Sequence, residues 1–335
     1  MKGIKLKSKY LLGYGLILIL VWVGPAWAEW KFEGETNVFY TDDVSIFSAS
    51  QRLSLKEDPT QPVIEVIDQG ADVVFEPAIS IGRLFQPSWG DMELTLKAQG
   101  FIFGEHTEFN HGTYGISATQ MFPAEALLRF RYHFGPDLFL GNNRAKRTEE
   151  ELIEKEEVTT HFGTIELERD VFENIMVRIL GRYGDRSYNK SFKQRDTHFW
   201  TLGTHAEWEI HPGIEFIIGY HYERGLADGR SQPQFEEDLS YFSNYLVAEL
   251  EVNVTPNTSI TFGFDFEQNT FTSDISTDEH QNANEKIFQG DIELRHVIND
   301  TIDFTMAYQR GQRKFNFESS KAVVNTVWFG GKFHF

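Results

Sequence analysis

From Trp30 onward, apolar and polar side chains alternate with a period of two. Trp30, Phe32, Val38 and Tyr40 share one parity, as do Met92, Leu94, Leu96 and Ala98. In the stretch 124–134, Ala124, Ala126, Leu128, Phe130, Tyr132 and Phe134 fall on one face, and Glu125, Arg129, Arg131 and His133 fall on the other. The same pattern sets Trp200, Leu202, Ala206, Trp208 and Ile210 against Thr201, His205, Glu207 and Glu209. It returns in Phe216–Tyr222, in Ile260–Phe266 and in Ile302–Tyr308. Alternation over about ten residues is the signature of a β-strand with two different faces. About 9–11 residues is also the length a tilted strand needs to cross a bilayer.

The connections alternate as well. Short links at 86–91, 211–213, 255–258 and 299–301 interleave with long polar stretches near 42–71, 105–121, 144–156, 225–239 and 273–284. This spacing predicts fourteen strands, at 30–41, 72–86, 91–104, 122–134, 137–146, 157–169, 173–186, 196–211, 214–224, 240–254, 258–271, 285–298, 301–312 and 321–335. A further hairpin from SQRLSLKE and VIEVID would raise the count to sixteen; the fifth strand, DLFLGNNRAK, has the weakest pattern, and the expected range is twelve to sixteen. A soluble β-sandwich or lipocalin-like fold is the competing architecture. It needs one strand face to pack a core, and here the polar face is too charged to meet a second layer.

Residues 1–28 break the pattern. Four lysines without an acid precede the apolar run LLGYGLILILVWV, and Ala26-Trp27-Ala28 follows. That order predicts a cleaved secretory signal peptide, with a single barrel domain at 29–335. No later segment reads as a transmembrane helix. Cleavage takes away four lysines and no acid, moving the formal charge from −19 to −23. Such acidity excludes nucleic acid as a partner, because phosphates call for Lys and Arg. The chain has no cysteine, which excludes disulfides, thiolate metal sites and thiol nucleophiles.

The signal peptide, the even strand count and the closing segment FGGKFHF together resemble a Gram-negative outer-membrane β-barrel, with no subfamily motif. The likeness spans 29–335. It implies an all-β, antiparallel up-and-down transmembrane barrel with short periplasmic turns and long extracellular loops. It also implies a porin-like channel role, contact with outer-membrane lipid, and recognition of Phe333 and Phe335 by the barrel-assembly machinery.

In such a barrel the polar parity lines the lumen. The expected basic wall is Arg129, Arg131, Arg178 and Arg182, with His133 beside it. The expected acidic wall is Glu207, Glu209, Glu249, Glu251, Asp265, Asp291 and Glu293, joined by Glu215 and Glu267, with Lys97 and Arg295 as exceptions. Opposed walls would set a transverse field that selects small polar or charged solutes. If instead the charges pair with one another, the barrel is filled and structural. The segment 147–157 reads as a helix, capped by Thr148 with Glu151, that could fold into the pore.

Other acids fall in loops: Asp42, Asp43, Glu236, Glu237, Asp238, Asp274, Asp278 and Glu279. None has calcium-loop spacing, and no metal or cofactor is expected. Asp196 and His198, with Asp42 and Asp43 on another rim, faintly resemble the aspartate–histidine pairs of outer-membrane proteases. The family's D-x-D pairing is missing, so the chain is read as a non-enzyme with a rim hydrolase as the lesser alternative. The glycines at 112, 115, 330 and 331 lack the strand-to-helix context of a phosphate loop. The main alternative to a channel is a scaffold or export conduit that sheathes another envelope component, such as a cytochrome or a polysaccharide exporter.

Overall fold

The computed structural model describes residues 29–44, 70–87, 89–123, 126–147 and 152–335. The signal peptide at 1–28, the extra hairpin within 42–71 and the capping pair Thr148–Glu151 lie outside them. Fourteen strands form one sheet: β1 (Glu29–Thr41), β2 (Asp72–Phe85), β3 (Met92–Phe103), β4 (His111–Phe122), β5 (Ala126–Arg144), β6 (Ile153–Phe172) and β7 (Ile175–Tyr188), then β8 (Thr197–His211), β9 (Ile214–Ala227), β10 (Tyr241–Thr255), β11 (Thr258–Phe271), β12 (Asn284–Asn299), β13 (Ile302–Phe315) and β14 (Ala322–His334). Every sequential pair is antiparallel, and β1 pairs with β14 from Glu33–His334 to Thr41–Thr326, so the sheet closes. Closure leaves no open edge.

Fourteen is the predicted number, reached through two compensating differences. β4 occupies a stretch read as loop, whereas β5 runs unbroken through the predicted break at 135–136. Gly-Pro-Asp carries turn chemistry, but here it makes a bulge: Asp137 has φ 45°, and the β5–β6 register shifts between Gly135 and Leu138. A bulge adds one residue to a strand without ending the ladder. The predicted helix at 147–157 is also corrected, because Ile153–Glu157 is the start of β6, paired with β5 from Phe139 to Arg144. The capping box and the acids at its start suggest a helix, yet Glu154 and Glu156 share a strand face.

The two barrel ends differ. Six links of two to six residues, at 86–91, 123–125, 173–174, 212–213, 256–257 and 300–301, close one end. The other end carries the longer connections. The exposed residues form an apolar belt that includes Trp30, Phe32, Phe130, Ile165, Ile179, Leu202, Phe262, Ile292, Met306 and Phe329. Exposed apolar side chains of this number are unstable in water and belong against lipid. The opposite parity points inward.

β5 and β6, at 19 and 20 residues, exceed what a membrane crossing needs and project past the belt at the long-loop end. Three apolar clusters of buried residues lie toward that end. One joins Phe39, Val44, Val74, Phe101, Phe103, Phe109 and Phe139, and a second joins Ala227, Leu239, Tyr241, Phe271, Ala283 and Phe315. A third joins Leu140, Ala145, Val158, Tyr188 and Phe192. The first and third, through Phe139, Leu140 and Val158, give the projecting strands a core of their own.

Candidate functional site

The lumen is built from the inward parity, and its charges fall into three zones. In the first, arginines and glutamates interlock across β5–β9. Arg129 Nη1 reaches Glu166 at 3.2 Å and Glu168 at 3.1 Å, and Arg131 donates to the other oxygen of Glu166. Arg178 bridges Glu168 at 2.8 Å and Glu207 at 2.9 Å. Arg182 lies 3.9 Å from Glu223, which also accepts from Arg186 at 3.2 Å and from Thr201 at 2.8 Å. Thus all four predicted basic residues face inward, and Arg178 joins Glu207 directly instead of facing it across open lumen. Glu166, Glu168 and Glu223 were missing from the sequence reading. The same alternation in TIELE, with Ile165 and Leu167 outward, would have identified the first two.

The second zone lies at the short-turn end of β8–β12. Glu215 stands opposite both Glu209 and Glu251, and Thr261 stands opposite both Glu251 and Glu293. The four glutamates therefore form one row across five strands. Among the described residues, no basic side chain pairs with any of them. Above this row Asp265 accepts from the Tyr245 hydroxyl at 2.7 Å and from Gln289 at 3.2 Å, while Glu249 and Asp291 both stand opposite Gly263. His205 and His221 meet at 2.6 Å between their Nε2 atoms. Gly203 and Gly219 make this approach feasible, since a Cβ at Gly203 would collide with His221 and one at Gly219 would lie 2.9 Å from His205 Nδ1. Arg295 pairs with Asp303, and Lys332 pairs with Glu33 at 3.2 Å.

The third zone is the long-loop mouth. Arg195 is buried and binds Glu156 at 2.7 Å and Glu237 at 2.7 and 3.0 Å. Burial pushes the Glu237 carboxyl upward, but the Arg195 guanidinium outweighs it and holds the group below its ordinary value. Arg147 donates to Gln194 at 2.8 Å, donates to Gln232, and stacks 4.1 Å from the Phe235 ring. Lys146 reaches the Glu236 carbonyl at 3.2 Å and Glu279 at 3.6 Å. Lys146 follows β5, and Glu279 lies between β11 and β12. Six strands apart in a ring of fourteen is close to diametric, so this contact crosses the mouth.

The remaining predicted residues have structural partners. Asp196 accepts the Tyr188 N–H at 2.7 Å, and its carboxyl is pushed up by burial. His198 instead pairs with Asp185 on the outward face, so the two do not meet. Asp42 accepts from the Asn325 N–H at 2.7 Å and from its side-chain amide at 2.6 Å. Asp43 is buried beside Thr41. Phe333 lies opposite Gly34 and Ile302, and Phe335 donates its N–H to Phe32 at 3.0 Å.

The sequence matches no protein-family model and no curated protein. Among solved structures, the outer-membrane channel DcaP of Acinetobacter baumannii aligns with a TM-score of 0.53 and 10% identity, over 92% of this chain and 97% of that one. A structure described as a bacterial polysaccharide outer membrane secretin aligns with a TM-score of 0.50 and 10% identity, over 90% and 98%. The closed fourteen-strand sheet with its outward apolar belt is thus the fold of the porin-like outer-membrane β-barrels that this chain resembles.

Proposed function

We propose that the protein is an outer-membrane channel for small polar solutes that favours cations over anions. One observation carries the reading: the row Glu209, Glu215, Glu251 and Glu293 concentrates carboxylates without cationic partners among the described residues at the short-turn end of the lumen, whereas the arginines Arg129, Arg131 and Arg178 are each bound to glutamates. Paired arginines contribute little net field. A row of unpaired carboxylates creates a negative potential that raises the local cation concentration. The lumen field is thus a gradient along the axis, with the transverse component confined to the side of β5–β8.

The Lys146–Glu279 contact crosses the extracellular mouth, and in this reading parting it widens the path for solute. Phe333 and Phe335 are assigned to recognition by the barrel-assembly machinery. The test is reconstitution of the purified protein into planar bilayers, with reversal potentials under a salt gradient. Cation-selective conductance is expected. Absence of conductance, or anion selectivity, would refute the reading.

A further inference from the structure

Above the apolar belt four cations stand together, all exposed: Lys286 on β12, Arg310 and Lys314 on β13, and Lys321 just before β14. Lys286 and Lys314 are directly opposite in the β12–β13 register. Directly opposed like charges on neighbouring strands are destabilising, so an unoccupied patch carries a cost that an anion would relieve. Among the described residues none of the four is ion-paired. Arg310 donates to Asn325 at 3.1 Å and Lys321 to Gln312 at 2.6 Å, both neutral amides. The bordering acids are engaged elsewhere, Asp42 by Asn325 and Glu318 by the Phe315 N–H at 2.8 Å.

The position is as informative as the charge. One step down the outward face of β12 is Phe288, which packs 4.9 Å from Phe266. Below them are Ile292 on β12 and Tyr308, Met306 and Phe304 on β13, all exposed. Aromatic side chains at the edge of an apolar belt mark the level where acyl chains give way to headgroups. The cations therefore stand at headgroup height at the long-loop end, in a chain whose formal charge is −19. Ammonium groups on long stems suit phosphate as movable point charges, and Arg310 adds a planar fork.

We infer that this face docks a phosphorylated glycolipid of the outer leaflet, whose phosphate sits between Lys286 and Lys314 while its acyl chains lie against Phe288 and Tyr308. The inference stands independently of the channel reading. It is tested by titrating the full-length protein in detergent with diphosphoryl lipid A, with its dephosphorylated form and with inorganic phosphate, following retention by native mass spectrometry. Diphosphoryl lipid is expected to bind on the order of tenfold more tightly than the dephosphorylated form. K286Q/K314Q should lose about the same factor, and K286R/K314R should keep most of the affinity. R310Q/K321Q provides a second variant pair should the first fail to fold, which heat-dependent electrophoretic mobility reports. Equal binding of the two lipids, unchanged binding by the Gln variants, or inorganic phosphate binding as tightly as the lipid would each overturn it.

Discussion

Glu215 on β9 faces Glu251 on β10 across their shared ladder, and the opposite side of Glu215 meets Glu209 on β8. Like charges so placed weaken the sheet locally, which argues for a use other than stability. At ~8 Å in water each carboxylate contributes roughly 0.5 kcal/mol to a passing monovalent cation. Replacing Glu209, Glu215, Glu251 and Glu293 together by Gln should lower the cation-to-anion permeability ratio by roughly tenfold at low salt, and by less at 0.1 M and above, where the Debye length is about 10 Å. Reversal potentials at two ionic strengths check both statements. Selectivity that ignores the substitutions would remove these acids from the permeation path.

The Lys146–Glu279 bridge calls for the opposite kind of substitution. Glu279 is largely exposed, so the pair adds at most about 1 kcal/mol to stability. K146E should therefore leave the melting temperature nearly unchanged while repelling the loop that holds Glu279. Single-channel recordings are expected to show a higher open probability. Unchanged gating with intact folding would mean that the crossing loops do not obstruct the mouth.

Much of this architecture is written in the alternation. Strands such as β8, with Trp200, Leu202 and Trp208 outward, declare both faces at once, because lipid on one side and charge on the other demand opposite residue types. β4 declares neither. Its inward residues Thr113, Gly115, Ser117 and Thr119 are small, and its outward ones include Tyr114 and Gln120, so it reads as polar loop. Gly135-Pro136-Asp137 misleads in the other direction, since turn chemistry and bulge chemistry are the same until the neighbouring strand is known. For the site, parity gives which side chains face the lumen. It does not give which acids meet which arginines, because that depends on register across strands far apart in sequence. Arg129 and Glu168, 39 positions apart, are brought together by the β5–β6 ladder.

Arg195 is where the loops are most vulnerable. It is fully buried between Glu156 and Glu237, themselves buried. Arg195→Met removes the cation and leaves two carboxylates without it, a change that typically costs 3–5 kcal/mol. The unfolding midpoint should fall, and protease sites in 190–195 and 228–240 should open before the barrel does. The triple variant Glu156→Gln, Arg195→Met, Glu237→Gln should recover much of the loss, because no buried charge remains. If the triple variant is no more stable than Arg195→Met alone, uncompensated charge is not the cause.

Acid should loosen one loop contact at a defined pH. Between β11 and β12, Asp278 accepts the N–H of Asp238 at 2.8 Å, the N–H of His280 at 2.9 Å and the His280 ring at 3.0 Å. Burial alone would raise this carboxyl, but the hydrogen bonds from His280, Ser273 and Asp238 prevail and hold it at about 2, against an ordinary 3.8. A group depressed on folding contributes stability that is complete above its unfolded value and disappears as pH falls through its folded value. The link from Asp278 to Asp238 should thus be intact above about pH 4 and lost progressively toward pH 2. Amide hydrogen exchange at Asp238 and His280 is expected to accelerate over that window, beyond the intrinsic pH dependence of exchange. Asp278→Asn should abolish the extra acceleration and show faster exchange already at neutral pH, since a neutral amide accepts these N–H groups less strongly. Protection that stays constant down to pH 2 in the unsubstituted protein would show that the ionised Asp278 does not hold the loops together.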